Sequence, residues 1–128
     1  MPTVLVVDDT RFSRGRIVAA LKSLPVQIVE AADGVEALEQ YAICQPEIVI
    51  SDLLMPRMPG LELVTELRAR GSATPVIVVS ADIQTTTQAA CREQGVWAFV
   101  NKPFSADQLR AAVVAALDSV CASGPCVS

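Results

Sequence analysis

The chain has 128 residues, of which 52% are apolar and 19% are charged, and its net charge at pH 7 is −4. This size and composition are typical of one compact domain and exclude a disordered chain, while the acidic balance argues against direct nucleic-acid binding. No apolar stretch approaches the roughly 20 residues that span a bilayer, and the N-terminus lacks a signal peptide, so we expect a cytoplasmic protein with no membrane insertion.

Strand-like and helix-like segments alternate five times along the chain. Short apolar runs predict strands at residues 4–7, 27–30, 47–51, 75–80 and 98–101. Helical periodicity predicts helices at about residues 11–24, 35–42, 60–71 and 86–94, and a final helix with Ser105 as its N-cap. This regular alternation favours an α/β fold with a parallel sheet, right-handed crossovers and helices on both faces.

The pattern predicts one domain over residues 1–120. Residues 121–128 contain Gly124-Pro125 and are expected to form a flexible C-terminal tail. Since the pattern ends there, we expect no covalently attached DNA-binding or enzymatic output module.

The cysteine content agrees with a reducing compartment. The four cysteines are scattered without a C-x-x-C pair, and the chain has no histidine that would complete a zinc site. Cys44 and Cys91 fall on predicted helices and are expected to be small, partly buried residues. A disulfide or a reactive thiol at Cys121 and Cys126 stays an open alternative.

Acidic residues lie at the ends of two predicted strands. Asp8 and Asp9 follow the first strand, and Asp52 follows the apolar run of the third. The carboxyl ends of parallel strands meet at one edge, where open α/β sheets bind ligands. Clustered carboxylates repel one another and need a cation, and oxygen ligands suit Mg²⁺. A helix cap would account for one of these residues, but not for all three.

Two further polar residues reach the same edge. Ser80 ends the fourth predicted strand, and Lys102 follows the fifth. Alone, either residue would be interpreted as part of the solvated surface, and Lys102 could simply lay its apolar stem beside Phe104. A hydroxyl and an ammonium facing clustered carboxylates are far more specific for a binding site.

Five motifs, taken together and in order, resemble the response-regulator receiver domain from Thr3 to Leu117. They are Val7-Asp8-Asp9, residues 30–38 (Glu-Ala-Ala-Asp-Gly-Val-Glu-Ala-Leu), residues 52–56 (Asp-Leu-Leu-Met-Pro) with Gly60, Ser80-Ala81, and residues 102–104 (Lys-Pro-Phe). The resemblance implies a flavodoxin-like (βα)5 three-layer sandwich with strand order 2-1-3-4-5.

The resemblance also implies a two-component phosphorelay response regulator. Asp52 would accept a phosphoryl group from a phosphohistidine on a sensor histidine kinase or phosphotransfer protein. Mg²⁺ would be bound by Asp9 and Asp52, by Asp8 through water, and by the backbone carbonyl of Leu54. Such a domain acts only on itself and is not an enzyme for soluble substrates. A small phosphohydrolase would want a second acid where this chain has Leu54.

In relatives, other residues at this edge of the sheet bind the phosphoryl group or respond to it. Lys102 would neutralise a phosphoryl oxygen, Ser80 would donate a hydrogen bond to it, and Phe99 would turn inward as the switch. Phe99 lacks the hydroxyl of the more frequent Tyr, so the switch would rely on packing. Output would pass to a target protein on the face made by the fourth helix, fifth strand and fifth helix, near Trp97.

Several alternatives stay open. Residues 7–14 resemble chemotaxis-type, stand-alone regulators, but a phosphate relay or sink, or a receiver fragment of a longer regulator with an output domain, has the same chemistry. Kinase docking is expected at the first helix and the loop after the fifth strand, where Thr10, Ser13 and Arg16 form one exposed face with Phe104 beside it. In relatives Leu54 and Asp82 border the path of the attacking water, and we expect slow autodephosphorylation.

Overall fold

The computed structural model describes residues 2–52, 60–71, 74–80, 89–90, 93, 95–102 and 104–123. Strands and helices alternate within these ranges. Their bounds are β1 Thr3–Val7, α1 Arg11–Leu21, β2 Gln27–Ala31, α2 Gly34–Cys44, β3 Ile48–Asp52, α3 Gly60–Ala69, β4 Val76–Ser80, β5 Ala98–Asn101 and the C-terminal helix Ala106–Ser123. The predicted helix at 86–94 lies mostly outside the described residues, although residues 89, 90 and 93 are helical.

The five strands form one parallel sheet with the order β2-β1-β3-β4-β5. This order confirms the flavodoxin-like arrangement that the sequence predicted. Because every strand runs in the same direction, all five carboxyl ends lie at one edge of the sheet.

Two apolar clusters, one on each face of the sheet, explain the uninterrupted apolar runs of β1, β3 and β4. One face packs against α1 and the C-terminal helix, through residues that include Val4, Val6, Ile17, Leu21, Leu109 and Val113. The other packs against α2 and α3, through residues that include Leu5, Val7, Leu38, Leu63 and Leu67. Successive residues of a strand point to opposite faces, so a strand that is buried on both must be apolar throughout.

The first helix is shorter than its periodicity predicted. It ends at Leu21, whereas the apolar stripe continued to Leu24. Pro25 explains the difference, because the residue before a proline is disfavoured in helical conformation. Leu24 nevertheless packs against the core from the turn that follows.

The start of the C-terminal helix agrees with the sequence prediction, but its end does not. Its start is as predicted, because the Ser105 hydroxyl accepts a hydrogen bond of 3.0 Å from the backbone N–H of Gln108. It continues to Ser123, past the predicted start of the tail at residue 121, and residues 124–128 lie outside the described ranges. The division between domain and tail therefore stays a prediction. Among the described residues, no helix combines the length and apolar character that crossing a bilayer requires.

Cys44 lies in the last turn of α2 and is half-buried, as its place on a predicted helix suggested. Burial raises the pKa of the Cys44 thiol, and the nearby carboxylate of Glu47 adds to the increase. The thiol is therefore held in its neutral, less nucleophilic form at neutral pH.

Gln45, the residue that caps the C-terminus of α2, has a strained backbone conformation that can be tested. Gln45 has a φ of 47°, in the left-handed region that residues with a Cβ adopt at a cost. Replacing Gln45 with Gly should raise the free energy of unfolding by about 0.5–1 kcal/mol in urea denaturation. Gly71→Ala is the converse control and should lower it, because Gly71 has a φ of 82°. Unchanged stability of the Gln45→Gly protein would contradict the strain argument.

Candidate functional site

The first and third strands bring two acidic residues to the same level of the sheet edge. Val7, the last residue of β1, pairs with Ser51 of β3. The residues that follow this pair are Asp8 and Asp52, so they lie side by side on neighbouring strands. The backbone N–H of Asp8 still donates to the carbonyl of Ala31 on β2, at 3.1 Å, which fixes Asp8 to the sheet.

Because side chains alternate between the two faces of a sheet, the positions of Asp8, Asp52 and Lys102 along the chain determine the face on which they lie. Asp8, Asp52 and Lys102 each come two residues after a core residue of the cluster that packs against α1 and the C-terminal helix. Those core residues are Val6, Ile50 and Val100. Side chains two residues apart on a strand share a face, so all three charged groups lie on the α1 side of the edge.

The three carboxylates converge as the sequence predicted. Asp8, Asp9 and Asp52 each offer an oxygen, and these oxygens all lie within 4.8 Å of one another. Asp8 is buried, Asp52 is half-buried and Asp9 is exposed. Two unit charges at such a separation repel by about 3–4 kcal/mol at an effective dielectric constant near 20. This crowding makes the cluster a site that can hold a cation.

The hydrogen bonds of Asp8 show that the carboxylate cluster lacks a partner for one of its buried oxygens. Its Oδ1 accepts hydrogen bonds from the backbone N–H of Thr10 at 3.0 Å and from the Thr10 hydroxyl at 3.2 Å. Its Oδ2 is buried and has no hydrogen-bond donor among the described residues, although the Lys102 Nζ lies 3.6 Å away, in ion-pair contact but beyond hydrogen-bond distance. A buried carboxylate oxygen without a donor is costly, and a hard cation would satisfy it. The donor set therefore fits a divalent metal such as Mg²⁺.

The first helix is capped by Thr10 and not by either acid of the pair. The Thr10 hydroxyl accepts a hydrogen bond of 3.3 Å from the backbone N–H of Ser13. This leaves Asp8 and Asp9 available for other partners and removes helix capping as their explanation.

Lys102 reaches the carboxylates from the far side of β4. Its strand, β5, lies two positions from β3, a distance of about 9–10 Å across the sheet. The Lys102 Nζ lies 3.2 Å from the Asp52 Oδ2 and 3.6 Å from the Asp8 Oδ2. The ammonium thus sits among the acids, and resting beside Phe104 does not account for its position.

Ser80 and Phe99 occupy the other face of the same edge. Ser80 is buried at the end of β4, between the strands of Asp52 and Lys102. Phe99 pairs with Val78, two residues before Ser80, and packs against the cluster under α2 and α3. The two residues are therefore diagonal neighbours on one face, close enough for their side chains to influence each other.

Some predicted positions fall outside the described residues. Leu54 and Asp82 are among them, so their expected roles as a carbonyl ligand to the metal and as neighbours of the attacking water stay predictions. Trp97 is described and is 39% exposed beside the start of β5.

The structure corrects the predicted exposed face of α1. Thr10 and Arg16 are exposed, but Ser13 is half-buried and its hydroxyl accepts a hydrogen bond of 3.0 Å from the Lys102 Nζ. Ser13 therefore belongs to the site. The large apolar side chain that this helix exposes is that of Phe12, which is 78% exposed and which the sequence pattern did not single out.

Arg14 is a second residue that sequence reasoning missed. Its guanidinium donates to the backbone carbonyl of Asp8 at 2.7 Å and pairs with Glu30 at 2.9 Å. This links the start of α1 to the ends of β1 and β2. The only sequence signal was the opposite charge of two residues 16 positions apart, which is too common to be informative.

A model of the response regulator receiver domain family matches residues 4–114. Hybrid signal transduction histidine kinase D from Dictyostelium discoideum is 36% identical over 115 residues, which cover 88% of this chain and 7% of the kinase. Response regulator MprA from Mycobacterium ulcerans is 35% identical over 114 residues, which cover 89% of this chain and 49% of that protein. The chain therefore spans about half the length of this regulator and a small part of the kinase.

Solved structures share the fold. The receiver domain of the Francisella response regulator 1452 has a TM-score of 0.85 at 28% identity, over 93% of this chain and 99% of that one. Vibrio cholerae chemotaxis protein CheY4 has a TM-score of 0.81 at 27% identity, over 94% and 98% of the two chains. Together with the order of the sheet and the acidic cluster at its edge, these matches establish that the chain belongs to the response regulator receiver domain family of two-component signalling.

Proposed function

We propose that Asp52 accepts a phosphoryl group from a phosphohistidine of a histidine kinase or phosphotransfer protein, and that this phosphorylation switches a protein-interaction surface. The observation that carries the proposal is the position of Asp52 between two kinds of charge. Its Oδ2 lies 3.2 Å from the Lys102 Nζ, and its carboxylate lies within 4.8 Å of oxygens of Asp8 and Asp9. A nucleophile, a fixed cation and a metal-binding set thus meet at one point.

In the phosphoryl transfer, Asp52 is the protein group that forms a covalent bond, and the other residues position and neutralise charge. A carboxylate oxygen of Asp52 attacks the phosphorus in line, the P–N bond breaks, and its electron pair returns to the imidazole nitrogen. The Asp52 side chain is 13% exposed, so a small or protruding phosphodonor can reach it. Lys102 supplies positive charge to a phosphoryl oxygen, and rigid placement of both groups lowers the cost of the in-line geometry.

The acidic residues would hold Mg²⁺. Asp9 and Asp52 would bind it directly, and the buried Asp8 would act through water, with Leu54 contributing a carbonyl oxygen. When bound, Mg²⁺ neutralises carboxylate and phosphoryl charge that would otherwise repel. The support is the crowding of three carboxylates around the buried Asp8 oxygen that lacks a hydrogen-bond donor within the described ranges.

The response would pass through the other face of the edge. Ser80 would donate a hydrogen bond to the phosphoryl group, and Phe99, its diagonal neighbour, would repack in the space that the shift of Ser80 leaves. The domain would act only on itself and not turn over soluble substrates. The affected surface would be the side of β5 and the C-terminal helix, where Trp97 and Val114 are partly exposed.

A second reading is that the chain is one module of a longer signalling protein. Its coverage of its relatives supports this: it corresponds to 49% of MprA and to 7% of hybrid histidine kinase D. As such a module it would control an attached output domain or relay phosphate within the protein. The similarity to a chemotaxis protein supports the stand-alone alternative, in which a cytoplasmic target binds without covalent linkage.

The phosphodonor would dock on α1. This helix carries Arg11, Arg14 and Arg16 and has no acidic residue, although the whole chain has a charge of −4. Arg16 stacks on the Phe104 ring, 5.8 Å from its centroid, and borders an apolar groove of about 240 Å³ next to it. With the exposed Phe12 nearby on the same helix, the surface suits an amphipathic helix with acidic residues at its rim.

We expect Asp52→Asn to abolish phosphorylation. Incubation with Mg²⁺ and acetyl phosphate should label the wild type on Asp52 and leave the variant at background, because the amide cannot form an acyl phosphate. Asp118→Asn, an exposed change on the C-terminal helix, is the matched control and should label normally. Undiminished labelling of the Asp52→Asn protein would overturn the assignment.

Replacing Asp8 or Asp9 with Ala should have the same effect on Mg²⁺ binding but different effects on the stability of the metal-free protein. Both changes should weaken Mg²⁺ binding in calorimetry by about tenfold or more. Without metal, Asp9→Ala should be at least as stable as the wild type, since it relieves repulsion at an exposed position. Asp8→Ala should be less stable than Asp9→Ala by about 1–3 kcal/mol, because the relief of repulsion is offset there by the loss of two hydrogen bonds that the buried side chain accepts from Thr10. Equal Mg²⁺ affinity in the Asp9→Ala protein would rule out this metal site.

Charge reversal at Arg16 should separate docking from chemistry. Arg16→Glu should slow transfer from a phosphorylated kinase by about tenfold, because rim charges mainly set association rates. Labelling by acetyl phosphate should be unchanged. Lys22→Glu, at the far end of the same helix, is the control and should affect neither reaction. If Arg16→Glu slowed both reactions equally, the docking proposal would be lost.

A further inference from the structure

A closed ring of polar contacts joins the start of α1 to the phosphoacceptor edge. The Lys102 Nζ donates to the Ser13 hydroxyl at 3.0 Å, and the Ser13 backbone N–H donates to the Thr10 hydroxyl at 3.3 Å. The Thr10 hydroxyl donates to the Asp8 Oδ1 at 3.2 Å. The Asp8 Oδ2 lies 3.6 Å from the Lys102 Nζ and completes the ring.

Within this ring, Ser13 contacts the lysine through its side chain alone. Its backbone N–H is used in capping the helix, while its hydroxyl oxygen accepts from an ammonium 89 positions along the chain. The cap and the hydrogen bonds from Thr10 to Asp8 fix the first turn of α1 against β1. The Ser13 oxygen is therefore held on a rigid frame and does not sit on a free loop.

The lysine needs such a support. An ammonium has three donors on a stem of four rotatable bonds, and a side chain of this kind loses much conformational freedom when it is fixed. Lys102 crosses the width of β4 to reach Asp52, and its side chain is 23% exposed. The Asp52 Oδ2 at 3.2 Å and the Ser13 Oγ at 3.0 Å hold it from two directions.

We propose that Ser13 is a positioning residue whose hydroxyl holds the ammonium of Lys102 over Asp52, so that the positive charge is in place when a phosphoryl group arrives. This inference rests on the proposed phosphorylation of Asp52. When Lys102 turns from the Asp52 oxygen to a phosphoryl oxygen, the bond to Ser13 keeps the ammonium at the site. Ser13 acts through Lys102 and is not itself one of the clustered acids.

The test compares Ser13→Ala with Ser13→Thr, which keeps a hydroxyl at the same position. At saturating Mg²⁺, labelling of Asp52 by acetyl phosphate should slow by about tenfold in Ser13→Ala, the usual effect of losing one hydrogen bond to a charged group. Ser13→Thr should label at close to the wild-type rate. Both variants should keep a Mg²⁺ affinity close to that of the wild type, since neither change touches a carboxylate. The melting temperature of Ser13→Ala should fall by no more than the few degrees that the loss of one hydrogen bond causes.

A second measurement shows whether Ser13 acts through Lys102. The equilibrium affinity for beryllofluoride, a phosphoryl mimic, should fall in Ser13→Ala but should not fall further when Ser13→Ala is added to Lys102→Met. An equal loss in both backgrounds would overturn the proposal, as would a wild-type labelling rate in Ser13→Ala. Failure of the wild-type protein to label on Asp52 would instead count against the proposed function.

Discussion

Repulsion between carboxylates at the sheet edge is the constraint on which the rest of the site depends. Three acidic side chains offer oxygens within 4.8 Å of one another, and one of these side chains is fully buried. Such an arrangement persists only where the surrounding fold holds it in place and where cations offset its charge. Lys102 offsets part of it. The remaining negative charge makes the site suited to hold a metal cation.

The sheet supplies the rigidity that this repulsion demands. Asp8 directly follows β1 and Asp52 ends β3, and both strands lie inside the sheet and pair with a strand on each side. Apolar clusters cover both faces of these strands, so their ends cannot move apart to relieve the charge without loosening the core. Arg14 adds a further restraint by binding the backbone carbonyl of Asp8 and the carboxylate of Glu30.

Sequence reasoning predicted what is encoded locally. Periodicity and turn residues are local signals, so the strands, their order by resemblance, and the meeting of Asp8, Asp9 and Asp52 followed from the sequence. The contact between Ser13 and Lys102 did not, because it joins residues 89 positions apart through side-chain directions that periodicity does not specify. The same limit explains why Ser13 was expected on the exposed face of α1. The helix end at Leu21 was missed because the apolar stripe outlasts the helix itself.

Lys102 directly follows a strand at the edge of the sheet. Among the described residues β5 is the last strand of the sheet and pairs with β4 alone, whereas the acids lie at the ends of interior strands. An edge strand has one row of backbone groups without a neighbouring strand, and such strands open to solvent and to other chains more readily than interior ones. The carboxylates are thus fixed by interior strands, whereas the ammonium of Lys102 is held next to an edge strand. A movement of β5 would therefore shift Lys102, and with it the electrostatic balance of the site, without disturbing the core.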